Sequence, residues 1–243
     1  MKSFIIKMVG VVLMGITVMN LFACTAVKTD VVEETKKQLQ EKYNADFGIT
    51  SIGNRINTGS ATMYGYRIGN ENELFEVVYS HETKNIEEYY VKSKISYEIA
   101  NDLRSLCNEK NINICGSVLL TCDESSSEVN VDMSIPEFLE KYNVSIIAIR
   151  VCLDTSSIDT NQCEMFLGAL QQLSSKYTKK INVILYPMNE ENYLTCSNEI
   201  KEQASPSTKW FMDYSNGKEI IISAENNVTT MGAKELESSI KGD

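Results

Sequence analysis

Hydrophobic and polar positions along this chain follow two periods, and the switches between them mark out its elements. The apolar positions Val32, Leu39 and Tyr43 share one side of a short helix ending at Asn44. Strands are expected over 46–54 and 61–68, and a hairpin pairs 74–80 with 86–91 across His81-Glu82-Thr83-Lys84. Helical spacing then returns at Ile95, Ile99, Leu103 and Leu106 and runs through Cys107, with Ser93 as N-cap. An apolar strand over 112–122 is followed by a polar stretch with three consecutive serines, which reads as a linker.

The second half opens on Ser134-Ile135-Pro136-Glu137, a capping box with proline in the first turn, so a short helix runs to Tyr142. A strong strand covers 144–154. Asp159, with Gln162 three residues on, begins an amphipathic helix in which Cys163, Phe166, Leu167, Leu170, Leu173 and Tyr177 share a face. Another strand over 181–186 makes this a strand-helix-strand unit, which implies a right-handed parallel crossover. A helix over 190–203 precedes an expected hairpin of 209–214 with 218–223, joined at Asn216-Gly217, a dipeptide that favours tight turns. Beyond Glu225 the polar residues show no clear period and read as a loosely held tail, with a weak terminal helix as the alternative.

These elements predict an α+β fold in two modules: an N-terminal helix plus antiparallel meander sheet, and a C-terminal α/β unit with a βαβ crossover and a terminal hairpin. The expected boundaries are a leader over 1–23, a tether over 24–31, the first module over 32–122, a linker over 123–133, the second module over 134–224 and the tail over 225–243. Glu41-Lys42-Tyr43-Asn44 and Glu140-Lys141-Tyr142-Asn143 each close a short helix before a strand, a match too brief to argue duplication.

The leader carries the most specific signal in the chain. Lys2 and Lys7 precede a nearly continuous apolar run from Met8 to Ala23, and Leu21-Phe22-Ala23-Cys24 closes it with a small residue just before the cysteine. This pattern resembles the lipobox of bacterial lipoproteins. The resemblance implies cleavage before Cys24, a diacylglyceryl group on its sulfur, and anchoring on the extracytoplasmic face of the cell membrane. The apolar run is shorter than the roughly 20 residues that span a hydrocarbon core, which favours cleavage over a retained anchor. Lys42-Tyr43, Phe47 and Ser51 to Arg55 also resemble a Lys-Tyr, Phe, Ser-Ile-Gly-Asn-Arg pattern of uncharacterised Firmicute lipoproteins, a likeness that implies no activity.

Charge narrows the partners. Without Lys2 and Lys7 the chain keeps 21 basic residues against 33 acidic ones, a formal charge of −12. So acidic a surface repels nucleic-acid phosphates and anionic headgroups, which leaves the lipid to hold the membrane. Six cysteines remain after Cys24: Cys107, Cys115, Cys122, Cys152, Cys163 and Cys196. An even count in an exported chain invites bridges, but the spacings are irregular and five of the six fall in strand or helix cores. They are read as mostly buried thiols, with one or more bridges as the alternative. A single histidine, His81, and no Cys-x-x-Cys argue against a closed zinc site.

No catalytic motif survives inspection. The chain has no Gly-x-Ser-x-Gly elbow, no glycine-rich phosphate loop and no dinucleotide fingerprint. Asp154-Thr155-Ser156-Ser157-Ile158 approaches an adhesion-type metal motif but has Ile158 where the last serine would coordinate, so it reads as a polar loop. Ser238-Ser239-Ile240-Lys241 matches Ser-x-x-Lys by chance in the tail, and His81 sits on a hairpin turn, where it reads as a solvated turn residue with no evident cysteine or serine partner. No cofactor is expected. Tyr64 and Tyr66, two apart on a strand, share a face that suits contact with a protein or an envelope glycan, unless that face packs under a helix. The expected function is a non-enzymatic binding or accessory module; the alternative is an extracytoplasmic hydrolase using a carboxylate pair, which leaves no spacing signature.

Overall fold

The computed structural model describes residues 30–53, 59–122, 130–203 and 206–242. The leader, Cys24, most of the tether and the serine-rich stretch at 123–129 lie outside the described residues. The fold is α+β, as the patterning predicts, with two mostly antiparallel sheets. Among the described residues no helix is long and apolar enough to cross a membrane.

The chain divides into two compact units. The first holds a helix over 30–43 (α1) and a four-stranded sheet in the order β1 (Phe47–Gly53), β2 (Ser60–Arg67), β3 (Phe75–Ser80), β4 (Ile86–Glu88). The buried stripe of α1 is Val31, Thr35 and Leu39, spaced by four, whereas the predicted Val32 and Tyr43 are half-buried. Thr35 Oγ1 approaches Met63 Sδ at 3.9 Å, which lays α1 over the β2 face that carries Ala61 and Met63. Strands β1 and β2 pair antiparallel with a register shift between Ile49 and Ser51, so Thr50 is the extra residue of a bulge.

The second unit contains α2 (Tyr90–Asn108), β5 (Ile114–Leu120), α3 (Ile135–Lys141), β6 (Ile146–Asp154), α4 (Thr160–Tyr177), β7 (Lys180–Met188), α5 (Glu190–Glu199), α6 (Thr208–Tyr214), β8 (Ile220–Glu225), β9 (Val228–Thr229) and α7 (Ala233–Lys241). Its sheet runs β5-β6-β7-β8-β9; β6 and β7 are parallel, joined through α4, and every other pair is antiparallel. Ile147, Ile149, Val151 and Leu153 on β6 and Ile181, Val183 and Leu185 on β7 form one fully buried face, covered by α2 and α4, with α7 packed on α4. The opposite face is polar along much of its length, with Ser117, Arg150, Asn182 and Ser223. It turns apolar toward the ends of β6 and β7, where α5 and α6 cover it.

Four expectations need correcting. The division at 123–133 is not where the chain separates, because α2 and β5 belong to the second unit and β5 pairs with β6 along its whole length. Helix α2 begins at Tyr90, three residues before the expected cap at Ser93. Glu88, itself buried, accepts the Tyr90 N–H at 2.7 Å, so a carboxylate satisfies an orphan amide at the helix start and β4 stops there. Residues 209–214 form helix rather than strand: Ser207 caps α6 by accepting the Trp210 N–H at 3.2 Å, and Trp210 and Tyr214 pack one turn apart with ring centroids 4.9 Å apart. The positive φ expected at Asn216-Gly217 is present, at 56° and 77°, but it ends that helix, with Gly217 donating to the Met212 carbonyl at 2.9 Å. The terminal hairpin lies one step later, where β8 and β9 join at Asn226-Asn227 with φ of 49° and 64°.

The fourth correction is the tail. Beyond Glu225 the chain forms β9 and α7, and Leu236 and Ile240 of α7 are buried against α4. Glu237 binds the hydroxyl of Thr160 at the start of α4, and Lys218 donates to the Ile240 carbonyl at 2.6 Å. The predicted capping box of α3 is present: Glu137 accepts from the Ser134 N–H at 2.9 Å and from its hydroxyl at 2.6 Å. Asp159 caps α4 through the Gln162 N–H at 2.8 Å.

Candidate functional site: a buried cluster of three thiols

Strand register brings the first two members of the site together. Cys115 on β5 and Cys152 on β6 are direct antiparallel partners, so both side chains leave the same face of the sheet. That is the face covered by α5 and α6. Asn189 caps α5 by accepting the Asn192 N–H at 2.8 Å, and the Asn192 side chain ties the helix to α6 by donating to the Tyr214 carbonyl at 2.8 Å. Held so, α5 lays Cys196, its fully buried residue, over the strand pair.

The Sγ atoms of Cys115, Cys152 and Cys196 all lie within 4.8 Å of one another, and those of Cys152 and Cys196 are 3.3 Å apart. Tyr186, Met188 and Phe211 pack around them in one buried cluster, with the Tyr186 and Phe211 rings stacked at 5.0 Å between centroids. Arg150 beside the cluster reaches over β7 to the Pro206 carbonyl at 2.8 Å and the Thr208 hydroxyl at 3.1 Å, which fixes the approach to α6.

Proximity changes the acidity of these groups. The thiols of Cys152 and Cys196 hydrogen-bond Cys115 and hold its pKa below the ordinary thiol range against the effect of burial, while Arg104 and the Ser197 hydroxyl help. Burial, then the hydrogen bond to Cys115, pushes Cys152 up; for Cys196 the bond to Cys115 comes first and burial adds to it. Elsewhere burial dominates: Cys107 is pushed up to about 12 and Cys163 to about 11, chiefly by desolvation, with Glu237 and Asp159 adding to it at Cys163.

Five of the six cysteines, Cys107, Cys115, Cys152, Cys163 and Cys196, are buried free thiols, as the core reading expects, and Cys122 is half-buried. Spacing gave no hint of the cluster, because its members stand at 115, 152 and 196 on two strands and a helix. The available signal was that Cys115 and Cys152 each stand in a strongly apolar strand, though only the register makes them partners.

The tyrosines behave differently. Alternation on β2 puts Ala61 and Met63 on the face covered by α1, and Tyr64 and Tyr66 half-buried on the other face. The Tyr66 ring lies across Gly48 of β1, in space that any β-carbon there would occupy. The pair is therefore not the side of the sheet packed under α1. His81 stands on the β3–β4 turn with its ring 5.6 Å from that of Tyr79. The 154–158 loop folds as a polar turn: Asp154 accepts the Ser156 N–H at 3.0 Å and Thr155 donates its hydroxyl to the Met188 carbonyl at 2.9 Å. Ser238 to Lys241 lie on α7, where Ile240 is core.

The sequence matches no protein-family description and no curated protein. The fold is similar to the crystal structure of a DUF5037 family protein from Ruminococcus gnavus ATCC 29149, with a TM-score of 0.68 and 12% sequence identity over 88% of this chain and 100% of that one. At that identity the likeness is one of fold.

Proposed function

We propose that this chain is an extracytoplasmic lipoprotein, held at the cell membrane by a lipid on Cys24, that acts as a non-enzymatic binding or accessory module for a protein or an envelope ligand. The anchor rests on the basic-then-apolar leader that ends in Leu21-Phe22-Ala23-Cys24. The binding role rests on the tyrosine face of β2: Tyr64 and Tyr66 lie on the side of the sheet away from α1, and Gly48 lets the Tyr66 ring lie flat along β1. Flat aromatic area with a hydroxyl at its rim contributes contact to a partner at small entropic cost.

The test separates the two parts. Cys24→Ala is expected to move the protein out of the membrane fraction or leave an unprocessed leader; unchanged mass and fractionation would reject lipidation. Tyr64→Ala with Tyr66→Ala is expected to lower partner recovery from intact membranes several-fold while the thermal melt stays near wild type. A normal melt with undiminished recovery would reject the tyrosine face, and turnover of a glycan or peptide by the purified protein would reject the non-enzymatic role.

A further inference from the structure

We propose that Cys115, Cys152 and Cys196 form a binding site for a divalent thiophilic metal ion of the zinc type. The site lies in the second unit, uses none of the residues of the tyrosine face, and stands or falls independently of the binding-module reading.

Geometry is the first support. Zinc–sulfur bonds are about 2.3 Å, so sulfurs around a tetrahedral ion stand roughly 3.8 Å apart. The three sulfurs here bracket that spacing, one pair at 3.3 Å and all within 4.8 Å. Side-chain adjustments on the order of 1 Å or less close them on one ion.

Position is the second. After β6 the chain crosses to α4 on one face of the sheet, and after β7 it crosses to α5 on the other. The second of these connections lays α5 across the face that carries Cys115 and Cys152. Cys152 stands near the end of β6, beside Met188 at the end of β7, with Cys196 on the helix that follows.

Charge decides the class of ion. Three thiolates and a divalent cation leave a single negative charge. A monovalent ion would leave two negative charges in an apolar pocket, a costly arrangement. Calcium and magnesium need oxygen cages that this pocket does not provide. Binding displaces whatever protons the three sulfurs carry, so affinity rises with pH.

The experiment uses the detergent-solubilised full chain, reduced and freed of metal under anaerobic conditions, then titrated with zinc alone and in parallel with cadmium alone. A single ion per chain, a higher melting temperature with zinc and a thiolate-to-cadmium charge-transfer band are expected. Cys152→Ser and Cys196→Ser should each abolish the band, whereas Cys107→Ser, Cys122→Ser and Cys163→Ser should retain it. The wild-type titration stands even where a variant fails to fold: no retained zinc, no thermal shift and no band would overturn the site. A band that persists in folded Cys152→Ser and Cys196→Ser would also overturn it. So would a peptide map of the protein as isolated that shows Cys152 and Cys196 joined as a disulfide.

Discussion

At the scale of single residues, the consequential positions are those where main chains come close. Gly116 follows Cys115 on β5, and a β-carbon there would fall on the Arg150 carbonyl oxygen of β6, a main-chain atom that cannot swing aside. Gly116→Ala must push β5 away from β6, at a cost of about 1–3 kcal/mol as overpacking usually requires. The same displacement separates Cys115 from Cys152. A lower urea midpoint is expected, and an unchanged midpoint would show that the strand pair yields more freely than its register implies. Residue chemistry was legible where it is local: Asn44 and Asn143, which close the repeated Glu-Lys-Tyr-Asn, both take positive φ, at 48° and 50°, after a helix. Asparagine tolerates that conformation, so the repeat is a shared way of ending a helix before a strand. The thiol cluster was not legible, since its members meet only through sheet register and a helix laid across it.

At the scale of elements, periodicity succeeded where one face is buried against one neighbour and failed where aromatic residues surround the element. The buried face of α4 is the predicted one, from Cys163 to Tyr177, and strict alternation identified β2 and β3. Helix α6 misled because Trp210, Met212 and Tyr214 alternate with Lys209, Phe211 and Asp213 as in a strand, while tertiary packing selects Phe211 as the buried residue of a short helix. The tail misled for the converse reason: α7 has only two buried side chains, Leu236 and Ile240, too few to show a period among polar neighbours. That sparse stripe is nevertheless fully packed, with Leu236 at 0% exposure. Leu236→Ala is expected to cost about 2–5 kcal/mol, as truncation of a buried leucine does, and to raise amide exchange across α7. A wild-type midpoint would show that α7 adds nothing to the second unit and that the tail is loosely held after all.

At the scale of the whole molecule, the class of fold and the order of elements up to α5 followed from the sequence, but the division into units did not. A polar, serine-rich stretch looked like a linker because composition marks exposure, and exposure is shared by linkers and by loops within one unit. The division is set by pairing instead: β5 joins β6, so the chain on both sides of that stretch belongs together. The second unit also claims Asn72–Phe75 from within the meander. Leu74 and Phe75 are buried; Leu74 donates its N–H to the Tyr97 hydroxyl at 3.2 Å, and the Phe75 ring lies 5.1 Å from that of Tyr90. A fragment beginning at Asn72 keeps these anchors for the start of α2, whereas one beginning at Glu88 exposes the surfaces they cover. The shorter fragment is expected to unfold at a clearly lower urea concentration, by an amount comparable to the ~3–5 kcal/mol lost when a buried phenylalanine is removed. Phe75→Ala in the longer fragment should account for most of that difference. Equal midpoints for the two fragments would place Leu74 and Phe75 outside the second unit's core and move the division back to the meander's end.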